Sequence, residues 1–283
     1  MKVSAVIPTI GRPELRRAVE SVLLQSVPVT PVVVLDRPSK QDDVRRVLEG
    51  LSYDLVITPG AVGGSGARNT GVSHGDSDVI AFLDDDDEWL PEKTARQLAL
   101  LAAHPGAVIT SQAYLIGRTS RVLPERPFDG AEPVSTYLLD RSTVRLRKNF
   151  IQSSTLLMRR ETALRHRWPE HLVRHQDWGL LIDMDRAGVP IFTEMTPLAR
   201  VFQGSAGSIS RSGAWKASED WLSSHAHDAS ARSKADFTAS VVLRGALASR
   251  DWPVVPNILA SSLRGRPHAA PLVVGFWGMV QRS

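Results

Sequence analysis

The sequence predicts an α/β protein with a mostly parallel central sheet, flanking helices and a helical C-terminal extension. Three observations support this class. Short, β-branched apolar runs alternate with amphipathic helical patterns through the first half, an order typical of parallel sheets covered on both faces. Four consecutive aspartates follow one of these runs. From residue 214 onward helical patterns dominate, with breaks at prolines.

The first half is expected to hold five strands with helices between them. The strands are predicted at residues 3–7, 32–35, 55–57, 79–83 and 107–115. The helices are predicted at residues 13–26, 39–51, 63–75 and 91–104. Pro13 and Pro91 stand where proline often begins a helix, and Ser39 with Asp42 has capping-box spacing. The first helix carries one apolar stripe formed by Leu15, Ala18, Val19, Val22 and Leu23.

The second half is less regular. Helices are predicted at 132–141 and 177–187, and strands at 152–158 and, as one or two, within 191–202. Residues 118–130 read as a loop or hairpin, and the glycine/serine stretch 203–213 is long enough for a flexible lid. We therefore divide the chain into a main α/β domain, 1–213, with halves 1–115 and 116–213, and a helical extension, 214–283.

Composition excludes several classes of function. The chain has 283 residues, a net charge of +4 and no cysteine, which excludes disulfides, thiolate zinc sites and cysteine nucleophiles. No lysine/arginine block indicates nucleic-acid binding. We expect a cytoplasmic protein, since no segment resembles a signal peptide or a membrane span. Residues 263–280 mix arginines with apolar residues. Two roles remain open for this segment: peripheral contact with a membrane surface, or a helix packed on the domain formed by residues 1–213.

The four aspartates, 84–87, follow the apolar run 79–83 and are the most informative stretch of the chain. Parallel sheets bind ligands at the carboxyl edge, where these side chains are expected. Two unit charges about 4 Å apart repel by roughly 1–4 kcal/mol, so a cation or water must neutralise the cluster. Hard divalent cations suit carboxylate oxygens. The first hypothesis is a metal–phosphate site, and the alternative is a solvated acidic loop.

Four segments in order resemble the inverting glycosyltransferases of family 2, which have the GT-A fold: VIPTIGRPELRRAVESVLLQS, VVVLDRPS, GGSGARNTGV and IAFLDDDDEWLPEKTARQ. A later segment, HQDWGLLIDMDRAG, is similar to the acidic helix start of that family. The resemblance covers about residues 3–110 and fades from about residue 214. It implies metal-dependent, inverting, hexosyltransferase-type transfer of a sugar from a nucleotide-sugar, with UDP expected, to an acceptor hydroxyl.

The resemblance implies a metal site in the aspartate run. Asp84 and Asp86 match the family's Asp-x-Asp motif, with Asp86 as the main ligand of Mn²⁺ or Mg²⁺ and Asp84 contacting the ribose or sugar as well as the metal. Residues two apart on an extended segment point the same way. Because four aspartates are consecutive, Asp85 and Asp87 remain an alternative pair, and Asp85 is also expected at the donor.

The resemblance also implies contacts to the donor nucleotide from strand ends and loops. Asp36, after the second strand, is expected to accept a hydrogen bond from the base, with an N-cap or turn role as the alternative. The glycine-rich turn allows close backbone approach and presents a helix N-terminus to an anion, and a plain tight turn is the alternative. The expected donor contacts are Pro8, Thr9, Asp36, Gly64, Arg68, Asn69, Asp84, Asp85 and Arg211.

Asp177 is the expected general base, because the acceptor hydroxyl must lose a proton as it attacks. The family's usual Glu-Asp pair reads Gln176-Asp177 here, and a helix N-cap is the alternative role for Asp177. Two other functions remain open: a sugar nucleotidyltransferase, and a non-catalytic nucleotide-sugar-binding or scaffold protein of the same fold. The acceptor can be a small molecule, an oligosaccharide or a lipid-linked sugar, and the oligomeric state is open.

Overall fold

The computed structural model describes residues 1–117, 119–142, 148–204 and 215–279. Within these ranges the strands are β1 Val3–Thr9, β2 Thr30–Leu35, β3 Asp54–Ile57, β4 Val79–Phe82, β5 Glu88–Trp89, β6 Val108–Ile116, β7 Ser120–Leu123, β8 Leu157–Arg159 and β9 Ile191–Phe202. The α-helices are α1 Leu15–Leu23, α2 Gln41–Val47, α3 Gly63–Ser73, α4 Lys93–Ala103, α5 Val134–Leu139, α6 Arg160–Arg165, α7 Gln176–Arg186, α8 Trp215–His225, α9 Ala231–Phe237, α10 Arg244–Ala248, α11 Val255–Arg264 and α12 Ala269–Trp277. The order of the elements confirms the α/β class and the helical C-terminal region.

The described strands form one sheet in the order β3-β2-β1-β4-β8-β6-β9-β5, and β7 pairs with β6. β1 is parallel to β2 and β4, β2 is parallel to β3, and β6 is parallel to β9. β8 is antiparallel to β4 and to β6, so it joins the two parallel parts. Because β1, β2 and β4 are parallel, their carboxyl ends share one edge of the sheet, which is where open α/β sheets bind ligands.

Hydrophobic side chains cover both faces of the sheet. Along β1, Val6 belongs to one buried cluster while Ala5 and Ile7 belong to the other, as the two-residue period of a strand requires. The cluster around Val6 continues into the C-terminal helices through Trp221 and Phe237. The C-terminal helices therefore share a hydrophobic core with the sheet that carries the predicted site.

One local prediction in the first half is wrong, and another is wrong at a single residue. Ser39 does not cap a helix: Pro38–Lys40 form a 3₁₀ turn, and α2 begins afterwards without a side-chain cap. Proline fixes the backbone of this turn, and the Lys40 amide closes it on the Arg37 carbonyl at 2.9 Å. In α1 the predicted stripe is buried except for Leu23, which is 39% exposed at the end of the helix.

A third prediction, a strand over 152–158, is also wrong. Ser153–Thr155 form a 3₁₀ turn, and β8 begins only at Leu157. The Gln152 side chain accepts a hydrogen bond from the Ser154 amide at 2.8 Å, and the Thr155 hydroxyl donates to the Gln152 carbonyl at 2.7 Å. These local bonds compete with strand pairing. Farther along, residues 191–202 form the single strand β9, and β6 with β7 forms the antiparallel hairpin anticipated near residue 118.

Candidate active site

The predicted site residues at the ends of β1, β2 and β4 meet at the carboxyl edge of the sheet. Pro8 and Thr9 end β1, Asp36 follows β2, and the aspartate run follows β4 after Leu83. The Asp36 amide donates to the Thr9 carbonyl at 2.8 Å, which holds two of these strand ends together. The remaining groups of the site are Arg68 in the middle of α3 and Gln176 and Asp177 at the N-terminus of α7.

The four aspartates form a turn, closed by a hydrogen bond from the Asp87 amide to the Asp84 carbonyl at 3.1 Å. The extended geometry expected for this segment is therefore wrong. Exposure nevertheless alternates along it, because Asp84 and Asp86 have partly exposed side chains while Asp85 and Asp87 are 6% and 2% exposed. Asp84 and Asp86 are thus the two carboxylates that an ion outside the turn can approach.

Asp85 and Asp87 anchor the turn from within. Asp85 accepts a hydrogen bond from the Thr9 hydroxyl at 2.6 Å, and burial raises the pKa of its carboxyl to about 6. Asp87 accepts from the Ser154 hydroxyl at 2.6 Å and from the Phe202 amide at 3.0 Å. Burial, followed by the charges of the neighbouring aspartates, raises the pKa of the Asp87 carboxyl.

Asp84 is held by three donors from other parts of the chain. Arg68 of α3 donates to Oδ1 at 2.5 Å, while the Gln152 amide and the Ser153 hydroxyl each donate to Oδ2 at 2.8 Å. Arg68 also donates to Oε1 of Gln176 at 3.2 Å and lies over the Trp168 ring. This arginine therefore connects the aspartate turn to the start of α7.

Arg12 and Arg17 contact the aspartate turn, and sequence reasoning missed both. Arg12 NH1 lies 3.1 Å from Oδ2 of Asp86 and 3.4 Å from Oδ1 of Asp85. Arg17 donates to the Asp86 carbonyl at 2.5 Å and lies over the Phe202 ring. A signal was available in the sequence. Both arginines follow the first predicted strand, which ends at the expected ligand edge, and an acidic cluster there needs a counter-charge.

Asp36 braces the glycine-rich turn. Its Oδ1 accepts from the Thr58 hydroxyl at 2.6 Å and from the Val62 amide at 3.0 Å, and its Oδ2 accepts from the Gly63 amide at 2.8 Å. This arrangement matches the turn role that was the alternative for Asp36. A carboxylate offers about four acceptor positions, so Oδ2 keeps one for a further donor.

The glycine-rich segment forms the first turns of α3. A Cβ on Gly64 would lie 2.9 Å from Oε1 of Gln176 and 3.0 Å from Nη1 of Arg68, so Gly64 lies directly against the hydrogen bond that joins these two side chains. Asn69 is 3% exposed, and its side chain bonds both backbone groups of Trp168 and the carboxylate of Glu170. Its amide thus holds the loop before α7.

Asp177 lies in the first turn of α7 and is partly buried. Its Oδ1 accepts a hydrogen bond from the Trp178 amide at 2.9 Å. Burial and, to a smaller extent, the nearby charge of Asp84 raise the pKa of the Asp177 carboxyl to about 6, although the charge of Arg68 opposes the rise. A carboxylate with this pKa is ionised at neutral pH and basic enough to take a proton.

Arg211, which was expected to contact the donor, lies outside the described residues. His225 ends α8, where its ring stacks with those of Trp221 and His171, and burial lowers the pKa of its imidazole. His227 follows α8, 3.3 Å from Arg186. Both histidines thus contact neighbours around the end of α8.

The aspartate turn has a donor set suited to a divalent cation. In the part of the chain that the structure describes, no three His, Asp or Glu side chains form a group able to hold a metal ion. Mg²⁺ is commonly held by one or two carboxylates together with substrate phosphates. The partly exposed pair Asp84 and Asp86 fits an ion completed by a diphosphate, whereas Arg68 and Arg12 now neutralise these two carboxylates.

Comparison with known sequences gives a consistent family. The model of the family described as "Glycosyl transferase family 2" matches residues 4–168. The chain is 31% identical over 212 residues to the amylovoran biosynthesis glycosyltransferase AmsB of Erwinia amylovora, a match that covers 69% of this chain and 68% of AmsB. It is 30% identical over 102 residues to the UDP-Glc:alpha-D-GlcNAc-diphosphoundecaprenol beta-1,3-glucosyltransferase WfgD of Escherichia coli, over 35% of this chain and 40% of WfgD.

Solved structures share the fold. S. aureus TarS 1–349, in complex with UDP-GlcNAc, superposes with a TM-score of 0.65 at 14% identity, over 99% of this chain and 88% of that one. The mannosyltransferase PcManGT of Pyrobaculum calidifontis, in complex with GDP-Man and Mn²⁺, gives 0.54 at 16% identity, over 99% of this chain and 74% of that one. Since the family match spans more than half of the chain and the fold agrees, the protein belongs to glycosyl transferase family 2 and is a GT-A glycosyltransferase.

Proposed function

We propose that this glycosyltransferase moves a hexosyl group from a UDP-sugar to an acceptor hydroxyl with inversion, and that Asp177 is its general base. One observation carries the proposal. Arg68 donates hydrogen bonds both to Oδ1 of Asp84 and to Oε1 of Gln176, the residue before Asp177, so the aspartate turn and the start of α7 lie side by side. The pKa of the Asp177 carboxyl there is raised to about 6, chiefly by burial. A proton acceptor therefore stands beside the residues proposed to hold the donor diphosphate.

The reaction proposed for this geometry is a single displacement. Asp177 takes the proton of the acceptor hydroxyl as its oxygen forms a bond to the anomeric carbon, while the bond from that carbon to the diphosphate breaks. Attack from the face opposite the leaving group inverts the anomeric centre without a covalent intermediate. Arg68 and Arg12, whose guanidinium groups border the aspartate turn, stabilise the negative charge that develops on the departing diphosphate.

Asp86, together with Asp84, would hold a Mn²⁺ or Mg²⁺ ion. When bound, such an ion neutralises charge on the diphosphate and so makes it a better leaving group. Support comes from the two partly exposed carboxylates and from the Mn²⁺ present with GDP-Man in PcManGT. The proposal covers either of the two metals.

For the donor, we propose that UDP contacts Pro8, Asp36, Gly64, Arg68 and Asp84. UDP is favoured because TarS binds UDP-GlcNAc and WfgD is named for UDP-Glc. The remaining acceptor position of Asp36 would take the hydrogen bond from the base. Thr9, Asp85 and Asn69 have their polar atoms in internal hydrogen bonds, so a role in shaping the donor site suits them better than direct contact. The donor contact expected for Arg211 stays a prediction from the sequence resemblance.

For the acceptor, we propose a sugar linked to a lipid diphosphate, the class that the name of WfgD specifies for that enzyme. The C-terminal end of the described chain offers a surface for peripheral membrane contact: Val273, Phe276, Trp277 and Met279 are 40–62% exposed. No acidic residue follows Asp251 in the sequence, whereas Arg264 and Arg266 are exposed. No helix of the described residues is long and apolar enough to cross a bilayer.

The proposal is tested by comparing the wild type with Asp177→Asn in transfer and hydrolysis of UDP-sugars in the presence of Mn²⁺. We expect the variant to lower kcat by at least about 10²-fold, the scale of general-base catalysis. Because Asp177 is not proposed to contact the nucleotide, the affinity for UDP should not change. Near-normal turnover of Asp177→Asn would exclude it as the base. A wild type that binds UDP yet shows neither transfer nor hydrolysis would favour the scaffold function instead.

A further inference from the structure

His175, the residue immediately before α7, has a left-handed backbone conformation, with φ +56° and ψ +35°. An L-residue other than glycine adopts this conformation at a cost in free energy, and it persists only where the surroundings impose it. The His175 carbonyl accepts the hydrogen bond of the Gly179 amide at 2.8 Å, which closes the first turn of α7. The backbone of His175 therefore sets the direction in which α7, and with it Asp177, enters the site.

The side chain of His175 is held by two C-terminal helices. Its Nε2 lies 3.0 Å from the Ser218 hydroxyl of α8. Its ring centroid lies 5.0 Å from that of Trp221 in α8 and 5.6 Å from that of Phe237 in α9. These contacts supply the constraint that the left-handed conformation requires.

The same contacts extend to the aspartate turn. The His175 ring stacks on Trp178, with centroids 4.9 Å apart. The Trp178 indole donates to the Ile151 carbonyl at 3.2 Å. Ile151 precedes Gln152, whose amide donates to the carboxylate of Asp84. His175 thus belongs to one packed set of side chains that includes C-terminal helices, the residue next to the proposed base and the loop that holds the aspartate turn.

We infer that His175 is a positioning residue, through which α8 and α9 fix the orientation of the Asp177 carboxylate toward the acceptor. The inference rests on the proposed role of Asp177 as the base. It gives the C-terminal helices a part in catalysis, although they lie beyond the segment matched by the family model, residues 4–168. Neither the ring of His175 nor the Ser218 hydroxyl needs to touch a substrate for this role.

The test uses the full chain and separates positioning from folding. His175→Gly keeps the left-handed backbone accessible but removes the ring, and Ser218→Ala removes the hydroxyl that faces Nε2. Arg250→Gly is the matched control, since Arg250 also has a left-handed backbone (φ +57°) and is exposed in the C-terminal region. UDP titration in the presence of Mn²⁺ gives the number of competent sites. Turnover is measured with UDP-glucose or UDP-N-acetylglucosamine, whichever the wild type hydrolyses.

We expect His175→Gly to lower kcat per UDP-binding site by about 10-fold or more, the scale of small displacements of a catalytic group. Ser218→Ala should lower it in the same direction by a smaller factor, and Arg250→Gly should not change it. The Kd for UDP should stay at the wild-type value in all three. His175→Asn should recover part of the loss, since asparagine tolerates the left-handed conformation and offers a polar side chain.

Two results would overturn the inference. The first is a per-site kcat of both His175→Gly and Ser218→Ala within about twofold of the wild type. The second is a fall in melting temperature or in UDP stoichiometry with no fall in per-site kcat, because this shows a purely structural role. Asp177→Asn, assayed in parallel, keeps the two hypotheses apart. If it retains turnover, the proposed base is wrong, whereas if it is inactive while His175→Gly is active, only the positioning role fails.

Discussion

At the scale of single residues, the site is organised by the pairing of carboxylates with arginines. Asp84 and Asp86 each face a guanidinium, that of Arg68 and that of Arg12 respectively. These ion pairs are partly buried, so they are screened less by salt than surface pairs. A metal–diphosphate complex would bring a cation for the carboxylates and an anion for the arginines. When it binds, each carboxylate can therefore exchange its arginine for the metal ion while each arginine exchanges its carboxylate for the diphosphate.

The raised pKa of Asp177 predicts how activity depends on pH. Burial and the charge of Asp84 raise this pKa to about 6, and a general base acts only when it is ionised. We therefore expect kcat to be maximal above about pH 7 and to fall as pH decreases through about 6. UDP affinity measured over the same range separates this effect from titration of Asp85. An acidic limb of the same pKa in the residual activity of Asp177→Asn would contradict the assignment.

Replacement of Asp86 tests the metal site. Asp86→Ala should abolish the part of UDP affinity that depends on Mn²⁺, because it removes the carboxylate proposed as the main ligand of the ion. Calorimetric titration of UDP with and without Mn²⁺ measures this difference. Asp42→Ala, at the first turn of α2 and remote in sequence from the turn, is the control and should behave like the wild type. Unchanged Mn²⁺-dependent affinity in Asp86→Ala would show that the ion is held elsewhere.

At the scale of elements, α3 lies so close to the sheet that only glycine fits at the contact. A Cβ on Gly71 would lie 2.5 Å from Cγ1 of Val6 in β1 and 2.9 Å from Cγ2 of Val34 in β2. This contact sets the height of α3 above the sheet. It therefore also sets how far Arg68, on the same helix, reaches toward the aspartate turn.

Gly71→Ala should lower the free energy of unfolding by about 1–2 kcal/mol. Overpacking of a well-packed interior costs typically about 1–3 kcal/mol, which outweighs the gain of up to about 1 kcal/mol from replacing a helical glycine by alanine. Denaturant unfolding measures the change. Gly106→Ala is the matched control, because nothing lies within 4 Å of the Cβ it would add. Greater stability of Gly71→Ala than of the wild type would show that α3 can shift without cost.

Element identity could be predicted mainly where the apolar pattern was regular. The strands and helices of the first half were predicted from their patterns, except the two-residue strand β5, and the start of α7 was predicted within one residue. The strand predicted over 152–158 was wrong because apolar residues stand on both sides of a polar stretch, at Ile151 and at Leu156–Met158. The polar residues 152–155 between them form hydrogen bonds with one another instead of pairing with a strand. The turn at Asp84–Asp87 was unforeseen for the same kind of reason. Its shape depends on partners such as Thr9, Ser154 and Phe202, distant in sequence.

At the scale of the whole molecule, α12 places an apolar stripe on the outside. Gly275 of α12 and Gly278 just after it approach the backbone of Ala239 and Arg244, so this face of α12 packs on residues 238–244 of the C-terminal extension. Val273, Phe276 and Trp277 occupy positions three and four apart and are exposed. The packing at these two glycines is thus on the extension itself and not on the domain formed by residues 1–213, and membrane contact through the exposed face stays a proposal.

Trp277→Glu should weaken binding to vesicles that contain anionic lipid, because an exposed aromatic side chain proposed to insert into the membrane surface is replaced by a charge that anionic head groups repel. Co-sedimentation with phosphatidylglycerol-containing vesicles measures the effect. Val173→Glu, which alters another exposed apolar residue (65% exposed) in the loop before α7, is the control. Equal sedimentation of wild type and Trp277→Glu would remove the membrane surface from the proposal, and concentration-dependent dimers lost in Trp277→Glu would assign the stripe to a second copy of the chain.

The sequence by itself determined the α/β class, the edge of the sheet that carries the site and the family, because periodicity and short motifs are local properties. Only the tertiary structure decided the partners of those motifs. It pairs Asp84 with Arg68 and Asp86 with Arg12, turns Asp85 and Asp87 inward, and places His175 against Trp221 and Phe237. The reason is physical: burial and the charges of neighbouring groups set how a carboxylate behaves, and both depend on residues brought together by folding rather than by sequence.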